Sequence, residues 1–398
     1  MSDRTIRLDR WEIAGSFGDL GTFISVAIPL VTICSLNTTS LLLTSGLVYI
    51  LSGFYYRIPI PVQPLKVFAT IAISSSLPAE LIAAGTITIG ILLIILTLMS
   101  LIAFMEKVFP QPVIGGIQFA VGLILIRAAM KLILKREVVP GGSEASFQVL
   151  GLDLPVGIII AIMCGIVMFL LIKNRFVPSL FIILALGITI GSHYAHGFKI
   201  SFSPSFAEVP FKLPGWKSFA DSFLLLVIPQ LPVTLGNSIL ATRDLSQKLF
   251  QERSSRVTVN ALSSGLGFSN IVIGLMNGMP VCHGCGGLSA HYSFGARTGW
   301  ATVFLGSLFV LLGFFFGGAA LSILSLIPWA VLGAMLFSVG IFQSLLIREL
   351  RGWDFLLAFA IGVGGLIATN LSIPFLVGIL VYHLVRLSEP WIKKQRGR

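Results

Sequence analysis

Three short stretches of this chain hold residue types that could do chemistry inside otherwise apolar surroundings. The first is Ile58-Pro59-Ile60-Pro61-Val62-Gln63-Pro64-Leu65-Lys66. The second is Gly278-Met279-Pro280-Val281-Cys282-His283-Gly284-Cys285-Gly286-Gly287. Prolines at near-alternate positions forbid a continuous helix and favour extended chain, after which Pro64 can open a new helix. That helix would start deep in an apolar region with free N–H groups at its mouth, which is an anion site. Gln63 and Lys66 stand at that mouth. The glycine-rich stretch repeats the arrangement, with Gly284, Gly286 and Gly287 letting backbone amides approach a ligand. Two half-helices would then converge on one anion. Lys66 either supplies charge to that site or snorkels to an interface. Cys282, His283 and Cys285 also permit a zinc or copper reading. A structural zinc site needs four ligands and no second cluster exists, so no metal site and no resident cofactor are expected.

The third stretch, Gly15-Ser16-Phe17-Gly18-Asp19-Leu20-Gly21-Thr22-Phe23, has a counterpart in Pro229-Gln230-Leu231-Pro232-Val233-Thr234-Leu235-Gly236-Asn237-Ser238. Asp19 could orient a neighbour, bind a cation, carry a proton or simply cap a helix. Thr22 follows it by one turn. Gln230, Thr234 and Asn237 fall roughly on one helical face, where they could line a cavity or bond between helices.

Composition names the scaffold for these groups. Of 398 residues, 56% are hydrophobic and only 11% are charged, with a mean hydropathy of +0.97. Soluble domains carry roughly 25% charged residues. A soluble enzyme, a disordered chain and a nucleic-acid binder are therefore excluded, despite a net charge of +11. The fold class is an all-α polytopic membrane protein. Fourteen apolar segments are expected, near 14–33, 38–56, 60–76, 80–104, 111–134, 154–172 and 176–193, then 219–242, 256–275, 281–295, 298–318, 326–345, 353–370 and 373–387. The third and tenth are the broken ones. No cleavable leader precedes the first, and the four cysteines form no disulfide framework.

With both termini in the cytoplasm, nineteen basic residues fall on the inner side and seven on the outer. That satisfies the positive-inside rule. The basic C-terminal tail should meet the anionic lipid surface. Pro61-Val62 and Pro280-Val281 occupy the third segment of each half, so the chain reads as one transmembrane unit built from two seven-helix repeats, about 1–205 and 210–398. Seven is odd, so the second repeat runs inverted, which places a binding site at the midplane.

These motifs, together with Tyr292-Ser293-Phe294-Gly295-Ala296-Arg297-Thr298-Gly299, resemble the signatures of the molybdate transporter family, which is allied to the sulfate permeases (SulP). The resemblance spans the whole chain. It implies seven plus seven inverted helices, a core domain moving against a gate domain, and a substrate site between the third and tenth helices, flanked by the first and eighth. Substrate-binding residues would be Gln63, Pro64, Lys66, Cys282, His283, Gly284, Gly286, Gly287, Asp19, Thr22, Gln230 and Asn237. Moving a dianion inward against the membrane potential calls for a proton or other cation as coupling ion, for which Asp19 and His283 are the candidate proton carriers from their side-chain chemistry. The resemblance implies molybdate as cargo and leaves room for a homodimer. It also implies residence in the plasma (inner) membrane and no catalytic residue. Sulfate is the nearest rival cargo, and a proton-coupled nucleobase carrier is a further alternative. The STAS regulatory domain of most sulfate permeases is expected to be absent. Cys285 stands where a small residue such as Ala is expected.

Overall fold

A computed structural model describes residues 9–149, 152–171, 179–195, 209–368 and 370–396. The proposed boundary between the repeats, most of the outer connection near 194–218 and several of the charges counted above lie outside these residues. The first described helices are α1 (Arg10–Ser16), α2 (Leu20–Cys34) and α3 (Thr38–Tyr56). Asp9 caps α1 through the amides of Trp11 and Glu12, and Asn37 caps α3 through the Ser40 amide at 2.8 Å. The sequence reads as one first segment, but the chain breaks at Phe17–Asp19. Asp19 occupies the cap position of α2 yet makes no cap hydrogen bond.

The third segment is a two-residue strand, β1 (Gln63–Pro64), followed by α4 (Lys66–Ser74). Next come α5 (Ala79–Leu98), α6 (Ile102–Val108) and α7 (Gln111–Ile133). The expected fourth segment is thus shorter: its helix ends at Leu98, just before a turn at Ser100, whose φ is +54°. An antiparallel hairpin then joins β2 (Ser146–Val149) to β3 (Leu152–Pro155), braced by Arg136 and Asp153 at 3.2 Å. Alternation there is too short to stand out in so apolar a sequence, and the all-α expectation is corrected to that extent. The helices α8 (Gly157–Leu171) and α9 (Ser179–Tyr194) follow.

The eighth segment is one long rod, Trp216–Ser254, made of α10 (Trp216–Ser222), α11 (Ile228–Val233) and α12 (Ala241–Phe250). Two π-helical stretches, Phe223–Val227 and Thr234–Leu240, join these pieces. Pro229 and Pro232 lack the N–H that an α ladder needs, and widened turns absorb the defect. The rest comprises α13 (Val259–Leu275), β4 (Val281–Cys282), α14 (Cys285–Ser293), α15 (Trp300–Ser325), α16 (Trp329–Leu345), α17 (Gly352–Ile367) and α18 (Ser372–Arg396).

Among the described residues seven helical stretches are long and apolar enough to cross a membrane, and five shorter apolar helices accompany them. Large apolar side chains such as Leu98, Phe268 and Ile367 are exposed on the periphery, where lipid replaces water as solvent. Many hydroxyls inside the helices return to their own backbone, as Thr44 does to the Ser40 carbonyl and Thr86 to that of Ile82, which spares those groups an unpaired state in apolar surroundings. The helices α4 and α14 have nine residues each. That is about 14 Å at 1.5 Å per residue, roughly half of a 30 Å hydrocarbon core.

Candidate functional site

The two half-helices are held mouth to mouth by the strands before them. β1 and β4 pair antiparallel, with Gln63 opposite Cys282 and Pro64 opposite Val281. The Leu65 amide donates to the Pro280 carbonyl at 3.0 Å. Antiparallel pairing brings the chains in from opposite sides, and each begins its helix just past the crossing. Pro64 therefore lies in the strand, and the helix starts two residues later than the proline spacing implied, with Leu65 as cap. Extended backbone at this depth needs partners, and buried side chains supply them. Asn270 takes the Val281 amide on its Oδ1 and gives its Nδ2 to the Val281 carbonyl, both at 2.9 Å. The Tyr49 hydroxyl donates to the Val62 carbonyl at 2.8 Å, and Thr242 to that of His283 at 2.6 Å.

At the mouth of α4 the Gln230 side chain takes up the Phe68 amide on its Oε1 at 2.9 Å, and its Nε2 donates to Thr234. Among the described residues no acceptor faces the amides of Lys66 and Val67. At the mouth of α14 the amides of Cys285 and Gly286 have the Cys285 sulfur beside them, a weak acceptor. Lys66 is half-buried. Among the described residues its ammonium has no hydrogen bond or ion pair, although it lies within electrostatic reach of Asp19 and Cys285. Gly286 is exposed, and a Cβ there would meet nothing within 4 Å. A side chain at Gly286 would thus enter open space, and the neighbouring Cys285 is half-buried, as are Asn237, which its thiol contacts, and Lys66, within its electrostatic reach.

Asp19 is buried, and both its oxygens accept from Gln63 Nε2, at 2.8 and 2.7 Å. Thr22 lies beside the same carboxylate. This pair rests on Gly287, where a Cβ would come within 2.5 Å of Asp19 Oδ2 and 2.8 Å of Gln63 Nε2. Gly284 is equally constrained, since a Cβ would collide with Gln63 Oε1. Asn237 accepts the Cys285 thiol on Oδ1 at 2.8 Å, so its Nδ2 is turned toward Gly284, 3.8 Å from the Cβ position.

Nine of the twelve residues singled out in the sequence thus meet around one opening or its supports, while Pro64 stays in the strand. Gln230 belongs to them as the cap of α4 rather than as a wall of the opening. Cys282 and His283 point elsewhere. Cys282 is buried with its sulfur 3.7 Å from the Pro64 carbonyl, and His283 is buried with Nδ1 2.7 Å from the Pro61 carbonyl. The His283 ring also packs edge-on against Tyr56. Both fasten the crossing. Among the described residues no three His, Cys, Asp or Glu side chains gather in a way that could hold a metal.

Several supports escaped the sequence reading. Glu12 is buried and accepts from the Arg297 and Thr298 amides and the Thr298 hydroxyl, the last two at 2.7 Å. It ties α1 to the loop between α14 and α15, and a carboxylate beside an apolar run was the available signal. His291 is buried with Nδ1 2.7 Å from the Gly15 carbonyl, and among the described residues its Nε2 has no partner. Asn270, a lone amide within an apolar segment, was the clearest clue missed.

Comparison with known sequences now bears on this geometry. A family described as "Molybdate transporter of MFS superfamily" matches residues 11–125 and 222–342, which include both half-helices, the flanking first segment and most of the eighth. The chain belongs to this molybdate transporter family. Molybdate transporter 1 of Arabidopsis thaliana is 31% identical over 412 residues, spanning 93% of this chain and 87% of the relative. Molybdate transporter 2 of the same plant is 29% identical over 420 residues, spanning 94% and 87%. Among solved structures, the transmembrane domain of a cyanobacterial bicarbonate transporter, BicA, superposes with a TM-score of 0.66 at 16% identity, covering 96% of this chain and 98% of that one. The murine anion transporter Slc26a9 in its inward-facing state gives 0.70 at 15% identity, covering 97% and 69%. The fold of this family member is thus the one those two transporters share, and the chain is an integral, multi-pass membrane protein.

Proposed function

We propose that the chain is a secondary active transporter that imports molybdate, binding it between the starts of α4 and α14 and working by alternating access. One observation carries this reading. Two helix N-termini and the Lys66 ammonium pool positive potential around one opening, with no carboxylate among the described residues paired to the lysine. A cation at the first residue of a helix opposes the dipole, so the arrangement is costly until an anion arrives. Each helix end contributes about half a charge, and with Lys66 the three nearly balance a dianion. Gln63, Asn237, Gly284 and Gly286 supply directional contact and room. Cys282, His283 and Gln230 act by holding the crossing in place.

An inverted repeat of seven plus seven segments fits the packing. A shift of about 219 residues turns α3 into α13, α4 into α14, α5 into α15 and α7 into α16. The same shift carries the packed pair α3–α15 onto α13–α5, and leaves α7–α16 and β1–β4 paired with each other. Glycine contacts follow it: Cβ positions at Gly46, Gly90 and Gly122 would each fall 2.7 Å from a glycine carbonyl, of Gly306, Gly267 and Gly340. The shift fails beyond α7, where the outer hairpin lengthens the first half.

The names of the Arabidopsis relatives support molybdate as cargo. Sulfate has the same charge and shape and is the rival. We place the protein in the plasma membrane with both termini cytoplasmic. Importing a dianion against 100 mV costs about 4.6 kcal/mol, so accumulation requires co-transported cations or another energy source. The test is uptake of radiolabelled molybdate, with sulfate as competitor, in a host lacking both uptake systems. Saturable uptake that excess sulfate displaces only weakly supports the reading. Uptake of sulfate in preference to molybdate would replace it by the rival.

A further inference from the structure

Gln63 presents a polar contradiction. Its Nε2 spends both protons on one carboxylate, that of Asp19. Among the described residues its Oε1 is buried without a hydrogen-bond partner, lying against Gly284 on the side toward which Asn237 Nδ2 is turned. A buried acceptor without a donor is costly, and an oxygen facing the cradle repels an oxyanion. The charge balance points the same way. Lys66 and two helix ends nearly neutralise a dianion, but ionised Asp19 adds one negative charge beside them.

We propose that Asp19 is the proton site of this transporter and that Gln63 links its protonation to anion binding. The inference rests on the anion-transport reading above and names its coupling ion. With Asp19 ionised, the amide is held as seen. When Asp19 takes one proton from the outer solution, its new O–H donates to Gln63 Oε1. The amide makes a half-turn about its terminal torsion, which is soft and roughly two-fold, and Nε2 swings to the cradle as a donor for the anion. One proton added thus pairs the orphan oxygen, removes the surplus charge and exchanges an acceptor for a donor. Release of the anion reverses the turn, and the proton leaves Asp19 for the cytoplasm.

The charged or titratable groups within electrostatic reach of Asp19 are Lys66 from α4, His291 from α14, Tyr49 from α3 and Cys282 from β4, while Glu12 of α1 acts on His291. His291 is the competing proton site, because its Nε2 is free and it lies close to Asp19.

The experiment is titration calorimetry of purified protein with molybdate in buffers of different ionisation enthalpy, which counts protons taken up per anion. Wild type should take up about one proton per molybdate bound in the pH range where Asp19 is ionised in the empty protein. Asp19→Asn, whose amide imitates the protonated acid, should take up none and bind with an affinity independent of pH. Gln63→Met should bind roughly tenfold to a hundredfold more weakly, the loss of one donor to a charged ligand. Full proton uptake in Asp19→Asn would move the site to His291 and overturn the proposal. So would molybdate binding to wild type with no proton uptake, a result independent of how the variants fold. Unchanged affinity in Gln63→Met would remove the amide from the linkage. A wild type that bound neither molybdate nor sulfate would instead sink the anion-transport reading itself, and the proposal with it.

Discussion

Replacing Lys66 tests the electrostatic core of the site. Its ammonium stands at the first residue of α4, half-buried, within electrostatic reach of Asp19 and Cys285. Lys66→Ala removes one unit of positive charge and leaves the two helix ends, about one unit together, to face a dianion. A hydrogen bond to a charged group is worth about 1.5–3 kcal/mol, and 1.4 kcal/mol is tenfold, so affinity should fall roughly tenfold to 150-fold. Lys66→Arg should also lose affinity, because a planar guanidinium is larger and fixed in geometry. A third variant separates charge from position. Cys285 is the first residue of α14 as Lys66 is of α4, so Lys66→Ala combined with Cys285→Lys returns the charge to the same opening from the opposite helix. It should recover part of the lost affinity. The assay is a binding isotherm with molybdate on purified, monodisperse protein. Wild-type affinity in Lys66→Ala would mean that the lysine only snorkels, and the reasoning from pooled positive charge would be wrong.

Glu12→Gln should lower the melting temperature without changing molybdate affinity, because the buried carboxylate holds the α14–α15 loop rather than the ligand; thermal unfolding and the same isotherm check both halves. Gly287→Val should abolish binding in protein that still purifies, since the added carbons displace Asp19 and Gln63, whereas Gly286→Val should block the opening while meeting no protein atom at its Cβ. A cysteine at Ser143, in the outer connection, should react with an impermeant thiol reagent from outside in intact cells; labelling from the cytoplasmic face alone would reverse the orientation.

Much of this was legible because prolines and glycines act locally. Pro59, Pro61 and Pro64 exclude helix wherever the chain goes, so the broken third segment could be read directly, as could Gly284, Gly286 and Gly287 in the tenth. The helices α3, α7 and α13 begin and end close to the expected limits for the same reason, with caps and prolines beside apolar runs. What joins the two halves was not legible. Gln63 meets Cys282 across 219 residues and Asp19 across 44, and no local preference encodes either pairing. His283 illustrates the other limit. Its side-chain chemistry admits metal binding, proton transfer and ligand contact equally, and only packing against Pro61 and Tyr56 makes it a fastening. The break at Phe17–Asp19 was hidden because Gly18 and Asp19 are tolerated both within helices and between them. It is set by contact with α14, where a Cβ on Gly18 would stand 2.9 Å from the Ala290 carbonyl.

The proposed symmetry is most informative where the chemistry departs from it. Gly18-Asp19 corresponds to Gly236-Asn237, Gln63 to Cys282, and Lys66 to Cys285. In each pair the first half supplies the charged or more polar group, and the second supplies a neutral, smaller or less polar one. Had both halves kept Asp and Lys, the opening would hold two lysines and two carboxylates. The lysines would be paired, and a dianion would have to break ion pairs to bind. With neutral groups in the second half, one lysine stays unpaired while Asp19 is held by Gln63, and Asn237 offers donors that carry no charge. A dianion can then bind without stripping an ion pair and can leave without facing excess positive charge. A repeat built for equal access from both sides needs only its backbone to be symmetric. The direction and coupling of transport are free to reside in the side chains that break the symmetry, which is why Asp19 and Lys66, both in the first half, are the positions where substitution should change coupling rather than fold.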